Sequence, residues 1–283
     1  MSSCAEKCLK DFYNNLRPNF ENMSYEEEYK ILEILIEQSL SNKDQIRLTG
    51  FEWISMFLQK YSLILHSNKK VPQKNKSKST FPLVKGEIIS IEDTDEKNER
   101  KIPFNLFPDI LESILTSVNH LDDAISKLAN SSNSTLLSII EAPEFYNMNI
   151  KLFEEKLSMF LNVDKDSTVD LILTWVKKLF MKFNENMFSS LDMFIENITK
   201  IITHKNENLF NKLMDFLCEV AKSKEGNIEI IMRKILDKLC SEKSLLETKG
   251  LIILKRLCTI LPVQRIYLTF AEVLLKMSVN TIC

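Results

Sequence analysis

The residue types that usually do chemistry are sparse in this chain and poorly spaced for it. Six cysteines stand singly, at Cys4, Cys8, Cys218, Cys240, Cys258 and Cys283, and there are three histidines, His66, His120 and His204. No C-x-x-C pair occurs, which argues against a structural zinc site or a disulfide framework. Cys4 and Cys8 have the i, i+4 spacing of one helix face, but two ordinary thiols are the simpler reading. Neighbouring carboxylates occur at Glu26-Glu27-Glu28 and at Glu154-Glu155, where they read as solvated charge on polar faces or helix starts. Phosphate-loop, dinucleotide-binding, nucleophile-elbow and H-E-x-x-H patterns are all missing, and four glycines could hardly build the first two. A triad assembled from distant residues leaves no local mark. The expectation is a non-enzyme with no cofactor and no metal.

What remains is chemistry of contact. Residues 228–261 hold seven basic side chains (Arg233, Lys234, Lys238, Lys243, Lys249, Lys255, Arg256) against four acidic ones (Glu229, Asp237, Glu242, Glu247). Such a stripe suits an acidic partner surface or membrane head groups, or is a solvated outer face.

The elements that must present these residues are helices. The 283 residues are 45% hydrophobic, with only four glycines and seven prolines to make turns. That composition suits helices joined by short loops rather than an all-β fold. The formal net charge of -2 gives no global basic field for nucleic acid. No apolar run approaches the roughly 18–20 residues of a membrane span, and the N-terminus has no signal-peptide core. The expected compartment is cytosolic.

Apolar spacing predicts helices over 29–40, 45–65, 103–118 (a pattern that 122–129 continues), 152–161, 167–183, 192–203, 209–222, 228–239, 244–261 and 263–277. Asp44 is placed to N-cap the second of these. Asn130-Ser-Ser-Asn-Ser134 reads as a loop. Residues 66–103 differ in kind. A basic polar run over 68–78 is followed by Glu92, Asp93, Asp95 and Glu96, without an apolar period. They read as a disordered insertion, with lipid contact or a nuclear signal as the less economical readings. Trp53 and Trp175, 122 residues apart, stand in similar apolar contexts. Three units of the ~40–47 residues typical of HEAT or armadillo helix pairs would separate them. Both then belong to the core of second helices. The predicted fold is an all-α solenoid of HEAT/armadillo-like pairs, divided as 1–65, a disordered charged linker at 66–103, repeats over 104–227, and the opening of a partner-binding region at 228–283.

One hairpin carries the most information. Ser244 and Glu247 have capping-box spacing, S-x-x-E, with Leu245 and Leu246 entering the core directly after. Gly250 inside a helix costs about 1 kcal/mol relative to Ala. Such a glycine permits close approach of a neighbouring helix or of a partner.

The same stretch carries a family resemblance. Ser241-Glu242-Lys243, Leu245-Leu246-Glu247, Lys249-Gly250 and Leu257-Cys258, in that order and followed by Ile266 and Phe270-Ala-Glu-Val-Leu-Leu275, resemble the vacuole-morphology (ArPIKfyve-type) HEAT-repeat scaffold. Asp44-Gln-Ile-Arg-Leu-Thr-Gly-Phe-Glu-Trp-Ile54 and Leu171-Ile-Leu-Thr-Trp-Val176 are similar to other repeats of that family. The resemblance covers residues 30–275 and implies a chain shortened at both ends. It implies a scaffold on the cytosolic face of endosomes or the vacuole that gathers a phosphatidylinositol-3-phosphate 5-kinase and a Sac-type phosphatase, with self-association through its C-terminal region. Partner contact is expected at Glu242, Lys243, Glu247, Lys249 and Arg256, presented around Gly250 of the same helix. The alternative is a transport adaptor that binds extended peptides, marked by a single-sign groove or a ladder of exposed asparagines.

Overall fold

The computed structural model describes residues 20, 23–67, 102–142, 150–161, 165–183 and 191–280. Among them are eleven α-helices and no strand: α1 Tyr25–Ser39, α2 Asp44–Ser67, α3 Phe107–Ser117, α4 Asp123–Ile140, α5 Ile150–Met159, α6 Asp166–Phe183, α7 Leu191–Thr199, α8 Glu207–Ser223, α9 Asn227–Ser241, α10 Lys243–Ile260 and α11 Val263–Asn280. Short 3-10 turns precede α3 at Phe104–Leu106 and follow α7 at Lys200–Thr203. Cys4, Cys8, Cys283 and the basic run at 68–78 lie outside the described residues, as does most of the linker expected at 66–103. Residues 66 and 67 still belong to α2.

The helices stack in two layers. Odd-numbered helices meet their odd neighbours in the series α1, α3, α5, α7, α9, α11, and α2 meets α4, α6 meets α8, and α8 meets α10. Hydrogen bonds described below join α4 to α6. Each helix pair thus rests on the pair before it, which is the stacking expected of an α-solenoid.

Local chemistry explains the boundaries. Ser24 caps α1 in a reciprocal box with Glu27. Asp122 caps α4 through the N–H groups of Ala124 and Ile125, and Asn206 caps α8 through that of Asn208. Asp44 is not a cap; it is already the first residue of α2. Gly226, at φ +98°, makes the left-handed turn from α8 into α9.

The two tryptophans are two pairs apart, on α2 and α6, rather than three. The residues between α2 and α3 make up the extra length. Each tryptophan lies nine positions after the aspartate that opens its helix, Asp44 or Asp166. Each of those aspartates faces a histidine from the next pair, His120 at 3.5 Å and His204 at 3.3 Å. Both histidines use Nδ1 to accept a backbone N–H two residues on, from Asp122 and from Asn206. The array therefore repeats a four-helix unit as well as a helix pair.

Two sequence expectations fail here for physical reasons. Asn130–Ser134 is not a loop but the middle of α4. Asn130, Ser134 and Thr135 return their side-chain donors to carbonyls four residues back, so they no longer compete with the helix. Glu28 is not solvated: it is buried, pairs with the Lys60 ammonium and accepts the Tyr61 hydroxyl at 2.8 Å. Burial, then the Glu28 charge, pushes the Tyr61 hydroxyl well above the usual tyrosine range. Glu154 is buried as well.

Candidate partner-binding surface

The six residues singled out for partner contact lie on or beside α10, and the fold separates them into two groups. Only Glu242 stands between α9 and α10, where it is the N-cap residue. Its carbonyl accepts from Leu245 and Leu246, and its side chain pairs with Lys238 one turn back on α9. The capping box expected at Ser244 and Glu247 therefore does not form. With so short a connection Ser244 is already in the first turn, and α10 has no side-chain cap bond. Leu245 enters the core, but Leu246 does not and is 51% exposed.

Lys243 and Glu247 face solvent, one turn apart, with 4.0 Å between charged atoms. Lys249 turns the other way. Its ammonium donates to the carbonyls of Ile202 at 2.8 Å and His204 at 2.6 Å and sits 4.9 Å from the Phe210 ring centre. It thus satisfies orphan carbonyls where the 3-10 turn after α7 ends, and it gains a cation–π contact. Burial holds Lys249 below the usual lysine value, partly opposed by Glu207. Arg256 also turns inward and meets Asp215 of α8 at 2.6 Å. These two cations hold α10 on the preceding pair, while Glu242, Lys243 and Glu247 remain at the surface.

Gly250 makes no close approach to another helix. A Cβ there would meet only Leu246 of its own helix, at 3.1 Å. Among the described glycines the close-packed one is Gly50, where a Cβ would lie 2.9 Å from the Ser39 nitrogen and 3.1 Å from the Leu35 carbonyl oxygen. Gly50 is what lets α1 and α2 cross closely.

Ion pairs recur along the even-numbered layer with alternating sign. Glu141 meets Lys178, Asp170 meets Lys212, Glu219 meets Lys177 at 2.9 Å, and Asp215 meets Arg256. Acidic and basic side chains therefore stand side by side along the described part of this layer. The shallow hollow over the starts of α6 and α8 is lined by Asp166, Asp170, Asn206 and Lys212, with Asp166 and Asp170 held by His204 and Lys212. Among the described residues no three of His, Cys, Asp and Glu gather in a way that could hold a metal ion. No described helix is long and apolar enough to cross a membrane.

Sequence reading missed the apolar surface at this end of the array. Leu246, Leu251 and Ile252 of α10, and Val263, Tyr267, Leu268, Leu274 and Leu275 of α11, are each between 41% and 67% exposed. A signal was present: α11 carries apolar residues on more of its circumference than one core face requires.

Comparison with protein-family models, curated proteins and solved structures yields no match to this chain.

Proposed function

We propose that the chain is a non-catalytic scaffold or regulatory subunit of the complex that makes phosphatidylinositol 3,5-bisphosphate at endosomes or the vacuole. It would hold a phosphatidylinositol-3-phosphate 5-kinase and a Sac-type phosphatase on the cytosolic face of the membrane. The observation that carries this reading is the 241–258 string, which resembles the vacuole-morphology scaffold and falls on α10 and the turn that leads into it. Stacked helix pairs with charge pairs between them suit the role, because such an array presents a long, stiff surface for other proteins.

The second reading is a transport adaptor for extended peptides. It would be favoured by a ladder of exposed asparagines; α4 and α8 carry asparagines, but α2, α6 and α10 carry none, so those two helices are not joined into a continuous row. The alternating charges of that layer also offer no uniform field to a basic or acidic peptide.

The test is co-expression of the tagged chain with the cognate 5-kinase and Sac-type phosphatase, followed by pull-down. Recovery of either supports the scaffold reading. Recovery of neither by a chain with full helical signal overturns it. The surface variant to compare is Lys243→Glu with Glu247→Lys, which reverses two exposed charges and leaves the inward-turned Lys249 and Arg256 in place. It should reduce recovery without changing helicity.

A further inference from the structure

We propose that the two histidine–aspartate joints of the array form a paired acid-sensitive switch, in which a proton taken up at Nδ1 of His120 and of His204 releases the turns that start α4 and α8. This device does not depend on the phosphoinositide reading, and either can fail alone.

The geometry fixes where the neutral rings keep their hydrogen. Nδ1 of His120 lies 3.1 Å from the backbone nitrogen of Asp122, and Nδ1 of His204 lies 3.3 Å from that of Asn206. A backbone N–H can only donate, so each Nδ1 presents a lone pair. The ring hydrogen is then on Nε2, which faces Asp44 at 3.5 Å or Asp166 at 3.3 Å. His66 is the opposite case. Its Nδ1 lies 2.7 Å from the Ser62 carbonyl oxygen, which can only accept, so there Nδ1 carries the hydrogen.

An imidazolium has two donors and no acceptor. Charging His120 or His204 therefore sets two N–H groups against each other at Nδ1, and the backbone N–H loses its acceptor. That N–H belongs to the residue that caps the next helix, Asp122 for α4 and Asn206 for α8. Attraction to the carboxylate opposes the release. Both rings are only 19% exposed, but the Asp44 and Asp166 side chains are 63% and 56% exposed, where water screens such a pair. The contact at Nδ1 is thus the one that protonation decides.

Other groups around the rings modulate this balance. Beside His120 stands Asp122 of its own turn, and α6 meets that turn through neutral groups, with Asn119 bonded to Ser167 and Thr168. Beside His204 stand Lys205 and Glu207 of its own segment and Lys249 of α10, whose ammonium donates to the His204 carbonyl at 2.6 Å. Lys249 repels a charged His204 and so favours release. A single ring of this kind would be an ordinary half-buried histidine. Here ring, carboxylate and capping residue recur together, with the capping residue two positions after the histidine both times.

The experiment is nitrogen NMR of the full chain, labelled in the histidine rings and the backbone. At pH 7.5 the expected neutral tautomer is Nε2–H for His120 and His204 and Nδ1–H for His66. Between pH 7.5 and 5.5, where histidines gain charge, protection of the Asp122 and Asn206 N–H groups should fall about tenfold or more, after correction for the intrinsic pH dependence of exchange. His120→Gln should remove the fall at Asp122 and leave that at Asn206, and His204→Gln should do the reverse. Circular dichroism checks that each variant folds; where one does not, the tautomers and protection of the unaltered chain decide. An Nδ1–H tautomer at His120 or His204, protection that acid leaves unchanged, or a response at one joint alone overturns the proposal.

Discussion

The indole Nε1 of Trp175 donates to Oδ1 of Asn133 at 2.7 Å, with both residues buried between α6 and α4. Phe153 stacks on the same indole, with ring centres 5.9 Å apart. A buried indole N–H without an acceptor costs about 1–3 kcal/mol. Asn133→Leu should therefore destabilise the chain by about that amount although it raises helix propensity, and Trp175→Phe with Asn133→Leu should recover part of the loss. Urea denaturation followed by circular dichroism gives both values. If Asn133→Leu leaves the midpoint unchanged, the bond does not hold the two pairs together.

That bond also marks where the sequence stops being legible. Apolar period located ten of the eleven described helices and the first part of α4, because each buries a stripe whose spacing survives in one dimension. The helix through Asn130–Ser134 was hidden because Asn and Ser signal a loop. The carbonyls that accept their side-chain donors become available only after the helix exists. Lys249 and Arg256 read as surface charge for a similar reason. Their partners, Ile202, His204 and Asp215, lie 41–47 residues away, and only the stacking of pairs brings them near.

Two glycines should respond oppositely to the same substitution. Gly50→Ala puts a methyl against the α1 backbone, which cannot move aside cheaply, and should cost about 1–3 kcal/mol as overpacking does. Gly250→Ala meets only the half-exposed, flexible Leu246 side chain and should gain up to about 1 kcal/mol from helix propensity. Thermal melts of the two variants decide the point. A stabilised Gly50→Ala would mean that α1 and α2 cross less closely.

Reversing the inward cations should affect folding before it affects any partner. Lys249→Glu removes two bonds to carbonyls and directs a carboxylate at them, and should cost about 2–3 kcal/mol. Arg256→Glu faces Asp215 in a half-exposed pair, where solvent screening limits the loss to about 1 kcal/mol or less. Hydrogen exchange should show the Lys249 variant opening between α10 and the α7–α8 pair. Unchanged protection there would place Lys249 back among the surface residues.

The described thiols should differ in reactivity, and one of them should make stability fall at high pH. Cys218 is buried in α8 and its thiol is pushed up to about 11, first by burial and then by Asp215, whereas Cys240 is exposed on α9. Thiolate is the reactive form, so iodoacetamide at pH 8 should modify Cys240 and spare Cys218 until the chain unfolds. The pH dependence has one sign. The unfolded thiol ionises near 9, while the folded one keeps its proton to about 11. Above pH 9 the unfolded state therefore binds fewer protons than the folded state, and the Cys218 contribution is progressively lost as pH rises toward 11. Cys218→Ala would remove that slope while leaving a cavity that lowers stability at every pH. Denaturation midpoints measured between pH 7 and 11 for both chains test this, and parallel curves would show that the Cys218 thiol titrates no differently in the fold.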